Sequence, residues 1–126
     1  MTRINVVDVK ELVDQHLLAE HRELTRIPNC VNSGKISSTG IPSEYTLGTG
    51  HVKFFVNKLT WLRKRYNELH QECLNRGFAV TYKFPDVVPL WNQGDYVVTN
   101  KAIAVNQERI KVRMPKNARY YGKLVA

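Results

Sequence analysis

The chain has little of what a metalloenzyme, a thiol enzyme or a secreted protein needs. Its 126 residues include two cysteines, Cys30 and Cys73, far apart and without a Cys-x-x-Cys pair. With no secretory leader in the first residues, this reads as a reduced intracellular protein. The four histidines form no His-Glu-x-x-His: His16 and His21 are five apart and point to different helix faces, His51 follows a glycine turn, and His70 lies on a mostly polar helix side. No metal and no other cofactor is expected. Gly48-Thr49-Gly50 is too short for a phosphate-binding loop and lacks the Gly-Lys-Thr/Ser ending, so it reads as a turn that opens a helix. A serine elbow and a cysteine–histidine signature are also missing. No run approaches the ~18 apolar residues of a membrane span.

Acidic residues are scarce too. Nineteen Lys and Arg against eleven Asp and Glu leave a formal charge of +8, with a pI near 9.7. That balance points to a polyanionic partner, nucleic acid before an acidic membrane surface. From Thr99 to Ala126, seven basic residues (Lys101, Arg109, Lys111, Arg113, Lys116, Arg119, Lys123) face one acid, Glu108. The C-terminal quarter is the electrostatic footprint. A merely soluble basic face is the bland alternative.

The length sits at the mode of single-domain sizes, and helical periodicity dominates the pattern. Residues 1 to 8 read as an extended arm carrying Ile4, Val6 and Val7. Asp8 with Glu11 is one candidate cap for the first helix and Asp14 another. Val13, Leu17, Leu24 and their neighbours form its apolar stripe, Gln15, Ala19, Arg22 and Arg26 a second row, and His16, Glu20 and Glu23 a third. Arg22, Glu23 and Arg26 are presented together, and Pro28 with Asn29 is expected to end the helix. A Ser/Thr/Gly/Pro loop fills 32–43. The strongest helix starts at His51, with Phe55, Leu59, Leu62, Tyr66, Leu69 and Cys73 as core, Lys58, Arg63, Lys64, Glu68, Gln71 and Glu72 on other faces, and a glycine cap at Arg76-Gly77-Phe78. Residues 78–98 read as irregular, with a short strand at 79–82 or 96–98 the most the pattern admits. A third helix fits Thr99–Met114, with Ile103, Ile110 and Met114 or Ala102, Val105 and Val112 inward and Arg109 beside Arg113 on the other side.

The chemistry concentrates at the N-terminus. A small residue after the initiator lets Met1 be trimmed, so Thr2 can present a free α-amine beside a carboxylate on the first helix. An α-amine has an unperturbed pKa of ~7.7–8.0, so a sizeable fraction is a neutral nucleophile at neutral pH. Glu23 among arginines is the carboxylate in question, although a solvated salt-bridge patch explains it equally well by itself.

Longer motifs decide between these readings. Thr2-Arg3-Ile4-Asn5, Asp14-Gln15-His16-Leu17, Ala19-Glu20, Arg22-Glu23-Leu24 and Arg26 resemble the opening of the phage pyrimidine-dimer DNA glycosylases. Leu47-Gly48, Gly50-His51-Val52, Phe54-Phe55, Leu62-Arg63-Lys64-Arg65, Glu72-Cys73-Leu74 and Arg76-Gly77-Phe78 resemble the same family's second helix. Gly94-Asp95-Tyr96, Gln107 with Arg109, and Tyr120-Tyr121-Gly122-Lys123 resemble its end.

The resemblance implies an all-α, compact single domain of three main helices with long irregular connections. It implies a base-excision enzyme, both glycosylase and abasic-site lyase, acting as a monomer on double-stranded DNA that contains a damaged base. If the chain is phage-encoded, it works in a bacterial cytoplasm. Thr2 supplies the attacking amine and Glu23 the carboxylate; Arg22 and Arg26 contact substrate, and Arg3, Arg109 and Arg113 contact phosphate. Gln15, His16, Tyr120, Tyr121 and Lys123 complete the expected DNA-binding set. The family's aromatic pair before Tyr120 is replaced by Asn117-Ala118, which allows a different damaged or modified base as substrate. A non-catalytic basic DNA-binding protein, or a basic helical module for a protein or membrane surface, would account for the charge but has no use for Thr2 and Glu23 together.

Overall fold

The computed structural model describes residues 3–81, 83–86, 89 and 91–125. After an extended arm and a single 3-10 turn at Val9–Glu11, five helices follow: α1 (Asp14–Leu24), α2 (Arg26–Asn32), α3 (His51–Phe55), α4 (Leu59–Asn75) and α5 (Asn100–Val112). Asp8 caps the 3-10 turn through Lys10 N–H, whereas Asp14 is the first residue of α1 and caps nothing there. Thr99 Oγ accepts Ala102 N–H and so starts α5 where expected.

Two helices anticipated as continuous are broken. Pro28 does not stop its helix. The chain turns at Thr25 and restarts as α2, which places Pro28 in a first turn, where its missing N–H has no bond to lose. Farther on, α3 ends at Phe55 and α4 begins at Leu59. The exposed N–H groups at the start of α4 are taken by an irregular segment: Leu59 N–H donates to Asn92 O at 2.8 Å and Thr60 N–H to Gly94 O at 3.1 Å. Gly94 returns its own N–H to Asn57 O, an approach so close that a Cβ there would lie 2.5 Å from that oxygen. At the other end, Gly77 (φ 86°) closes α4 in a Schellman motif, with Phe78 N–H on Cys73 O and Gly77 N–H on Leu74 O.

The expected α4 stripe is the core. Phe55, Leu59, Leu62, Tyr66, Leu69 and Cys73 are all buried, against Leu17 and Leu24 of α1, Ile27 of α2 and Ile4 of the arm. Each such side chain contributes about 1.5–3 kcal/mol by leaving water. Burial pushes the Cys73 thiol up to about 11, so it is a core residue and a poor nucleophile. Glu72, read from the sequence as facing outward, is buried in an ion pair with Arg76. On α5 the inward residues are Ala102 and Asn106, while Val112 and Met114 face solvent.

No strand forms among the described residues of 78–98. A strand pair appears instead in the basic tail, β1 (Arg119–Tyr120) and β2 (Lys123–Leu124). Its two-residue turn has positive φ at Tyr121 (52°) and Gly122 (79°), the twist that matches antiparallel strands. The hairpin is pinned by Asp14, which accepts both Tyr121 and Gly122 N–H, and by the Tyr120 and Tyr121 rings lying over the Arg76 guanidinium. Replacing Gly94 with Ala forces the 92–94 segment off the start of α4. We expect a loss of about 1–3 kcal/mol, read as a lower midpoint in urea unfolding with an unchanged slope.

Candidate active site

The arm finds its hydrogen bonds on side chains. No backbone–backbone hydrogen bond to residues 3–7 occurs among the described residues, and each buried arm group would be costly if left unpaired. Ile4 N–H donates to His51 Nε2 at 2.9 Å, and Ile4 O accepts the Tyr45 hydroxyl at 3.0 Å. Asn106, fully buried on α5, takes both Val6 N–H (2.7 Å) and Val7 N–H (3.1 Å) on one oxygen and donates to Asn5 Oδ1. Asn5 in turn donates to Glu20, which is held bidentately by Arg65 at 2.8 and 3.0 Å; Arg65 also reaches Val7 O. The arm thus runs antiparallel to α1 between that helix and α5, tied on both sides.

Its outer end is fixed at Glu23. Arg3 N–H donates to Glu23 Oε2 at 3.2 Å. Glu23 is half-buried in the last turn of α1, with Arg22 and Arg26 exposed beside it. Thr2, the expected nucleophile, lies outside the described residues. Arg3, Asn5, His16, Ala19, Glu20, Arg109, Ile110 and Arg113 line a cleft of about 30 Å³ along the arm. Burial holds the Arg109 guanidinium below its ordinary value, Arg3 and Arg113 add repulsion, and Tyr45 and Glu23 oppose it. Arg109 remains a cation at any physiological pH.

The remaining expected residues divide. His16 joins the cleft through its ring, with Nε2 donating to Arg113 O at 3.2 Å; burial chiefly, and Arg3, lower its pKa. Gln15 is committed to the tail, donating to Asn117 O and accepting Arg119 N–H, about 12 Å along α1 from Glu23. Tyr120 and Tyr121 sit at that same far end, their hydroxyls donating to Lys10 O and Glu72 Oε2, and Lys123 is exposed on the hairpin. The structure therefore lines one cleft with Arg3, His16, Arg109 and Arg113, ties Glu23 to it through the Arg3 N–H, leaves Arg22 and Arg26 exposed beside Glu23, and sets Gln15, Tyr120, Tyr121 and Lys123 apart. Among the described residues no cluster of three or more His, Cys, Asp or Glu could hold a metal ion, and no helix is long and apolar enough to cross a membrane.

The family model for pyrimidine dimer DNA glycosylases matches residues 1–86, from the arm to just beyond α4. The chain belongs to the pyrimidine dimer DNA glycosylase family. It has a DNA-repair role of that kind and acts on DNA containing damaged bases. The glycosylase match covers Arg3, His16, Arg22, Glu23 and Arg26, whereas Asn106, Arg109, Arg113 and the tail lie beyond it.

The arm's anchors were the residues that sequence reasoning passed over. Asn106 sits four residues from both Ala102 and Ile110, and a polar residue on an apolar stripe was the available sign. His51 is neutral when it accepts Ile4 N–H, since Nδ1 must then donate to Thr46 O at 2.8 Å. Burial is the main cause lowering its pKa from 6.5, partly opposed by that Thr46 bond. Between the lowered value and 6.5 the unfolded chain binds more protons, so stability falls as pH drops through this window. His16 and His21 shift in the same direction. Urea midpoints should decline from pH 7.5 to 5.5; a flat profile would contradict the assignment. Asn106→Ala leaves two arm N–H groups without an acceptor and should cost about 2–4 kcal/mol, with DNA cleavage falling further than stability alone explains.

Proposed function

We propose that the protein excises one base of a pyrimidine dimer and then cuts the strand, using the α-amine of Thr2 after removal of Met1. The observation that carries this reading is the 3.2 Å bond from Arg3 N–H to Glu23. That bond anchors the backbone at the residue that directly follows the proposed nucleophile in sequence.

The steps balance without a cofactor. The amine lone pair attacks C1′ and the C1′–N1 bond breaks, the base leaving with the electron pair and taking up a proton. Opening of the sugar ring gives an iminium between C1′ and the amine, with O4′ protonated. Glu23, negatively charged, steadies the cationic sugar as the base departs and then accepts a proton from C2′. The electrons released expel the 3′ phosphate from C3′, and water hydrolyses the imine to free the enzyme. Arg3, Arg109 and Arg113 hold backbone phosphates beside the cleft, and Arg22 and Arg26 flank the reacting nucleotide. The chemistry takes place beside the cleft on a duplex that has been opened.

Glu23→Gln should keep DNA affinity and lower strand cutting by roughly 10²–10⁴-fold. Protein that retains Met1 should neither cut nor form an imine, and cutting should persist in excess EDTA. A Glu23→Gln variant that still cuts at the wild-type rate would contradict the mechanism. Equal, uncut binding by both proteins would favour a non-catalytic DNA-binding role.

A further inference from the structure

The end of α5 presents apolar side chains that the mechanism above does not use. Val112 is 72% exposed and Met114 is 44% exposed, one on each side of Arg113. Val112 also borders a nearly apolar open groove lined by Leu47, Ala104, Val105, Glu108 and Arg109. Arg109 lines both this groove and the cleft along the arm, so the two surfaces are continuous.

Charge decides what can sit there. Arg109 and Lys111 lie in the last turn of α5 and Arg113 follows it, so the surroundings attract a polyanion. The helix end itself carries about half a negative charge and Glu108 adds another one turn earlier, so phosphates are drawn to the guanidinium groups and kept off the tip. An uncharged part of a duplex, the deoxyribose edge or an opened base step, fits an apolar tip ringed by cations. A partner with exposed apolar surface but no phosphates would leave those cations unmatched.

We propose that Val112 and Met114 form an apolar wedge that enters the groove of the lesion duplex and holds the damaged step open for attack at C1′. This rests on the damaged-DNA reading above. Unstacking a base step costs a few kcal/mol, and apolar wedges are a general means of offsetting that cost. The wedge makes no contact with the reacting atoms; it positions the substrate.

The test uses lesion duplexes carrying 2-aminopurine opposite the dimer, so that opening is read as fluorescence independently of cutting. The double variant Val112→Ser, Met114→Ser should show a smaller fluorescence rise and about tenfold slower base release, equivalent to about 1.4 kcal/mol. On a duplex whose lesion is already unpaired in a bubble, its rate should return to that of the wild type. Both positions are exposed, and the milder Val112→Ala should give a smaller change in the same direction. Unchanged opening in the double variant would overturn the proposal, as would an equal loss on the bubble. A change in sedimentation mass with opening unaltered would make this face an interface between copies and overturn it too. Wild-type protein that opens the lesion without cutting would contradict the imine reading while leaving the wedge measured.

Discussion

The site depends on how the first residues of the chain satisfy their backbone. An extended arm of five residues pairs with no strand among the described residues, and α1, α3, α4, α5 and the loop around Tyr45 each contribute a side chain to it. These partners fix the arm along its length, and the last bond in the series places Arg3 N–H on Glu23. Buried polar networks are costly when incomplete, which makes the arrangement specific: one lost partner strands several groups. Glu20, Arg65 and Asn5 illustrate this, because replacing any one leaves a buried charge or amide unpaired.

Function is then a matter of which charges face outward. Inside the bundle, carboxylates and guanidinium groups face each other, with Glu20 paired to Arg65 and Asp14 and Glu72 sharing Arg76. Around the arm's end the balance is reversed, with Arg3 bonded to Glu23 through its N–H, Arg22 and Arg26 exposed beside it, and Arg109 and Arg113 farther along the cleft. Under the proposed mechanism, that surplus of arginines attracts the phosphates while Glu23 faces the sugar that loses its base. The hairpin at the opposite end of α1 belongs to a different structural unit, held on Arg76 by two aromatic rings. Its distance from Glu23 separates whatever the tail does from the chemistry.

Much of this was legible in the sequence, for physical reasons. The apolar stripe from Phe55 on α3 through Leu59 to Cys73 on α4 is buried as read, and the Arg76-Gly77-Phe78 cap has the expected geometry because only glycine readily adopts φ near 86° there. Motif resemblance pointed to Glu23, Arg22 and Arg26, and the structure adds the Arg3 N–H bond to that carboxylate. The missed features are non-local. Pro28 was a poor guide to a helix end because the break occurs three residues before it. The interruption at Val56–Lys58 depends on donors to and from residues 92–94, and no periodicity encodes that pairing. Asn106 and Gln15 look alike as polar helical residues, yet one clamps the arm and the other the tail, a distinction set by what lies across from each.

The most direct test is to trap the protein on a dimer-containing duplex with borohydride, digest it, and identify the modified residue by mass spectrometry. The account predicts a single reduced adduct on the α-nitrogen of Thr2, formed in the methionine-processed protein and weakened when Asn106 is replaced. An adduct on a lysine side chain, or trapping that is indifferent to Met1, would contradict it.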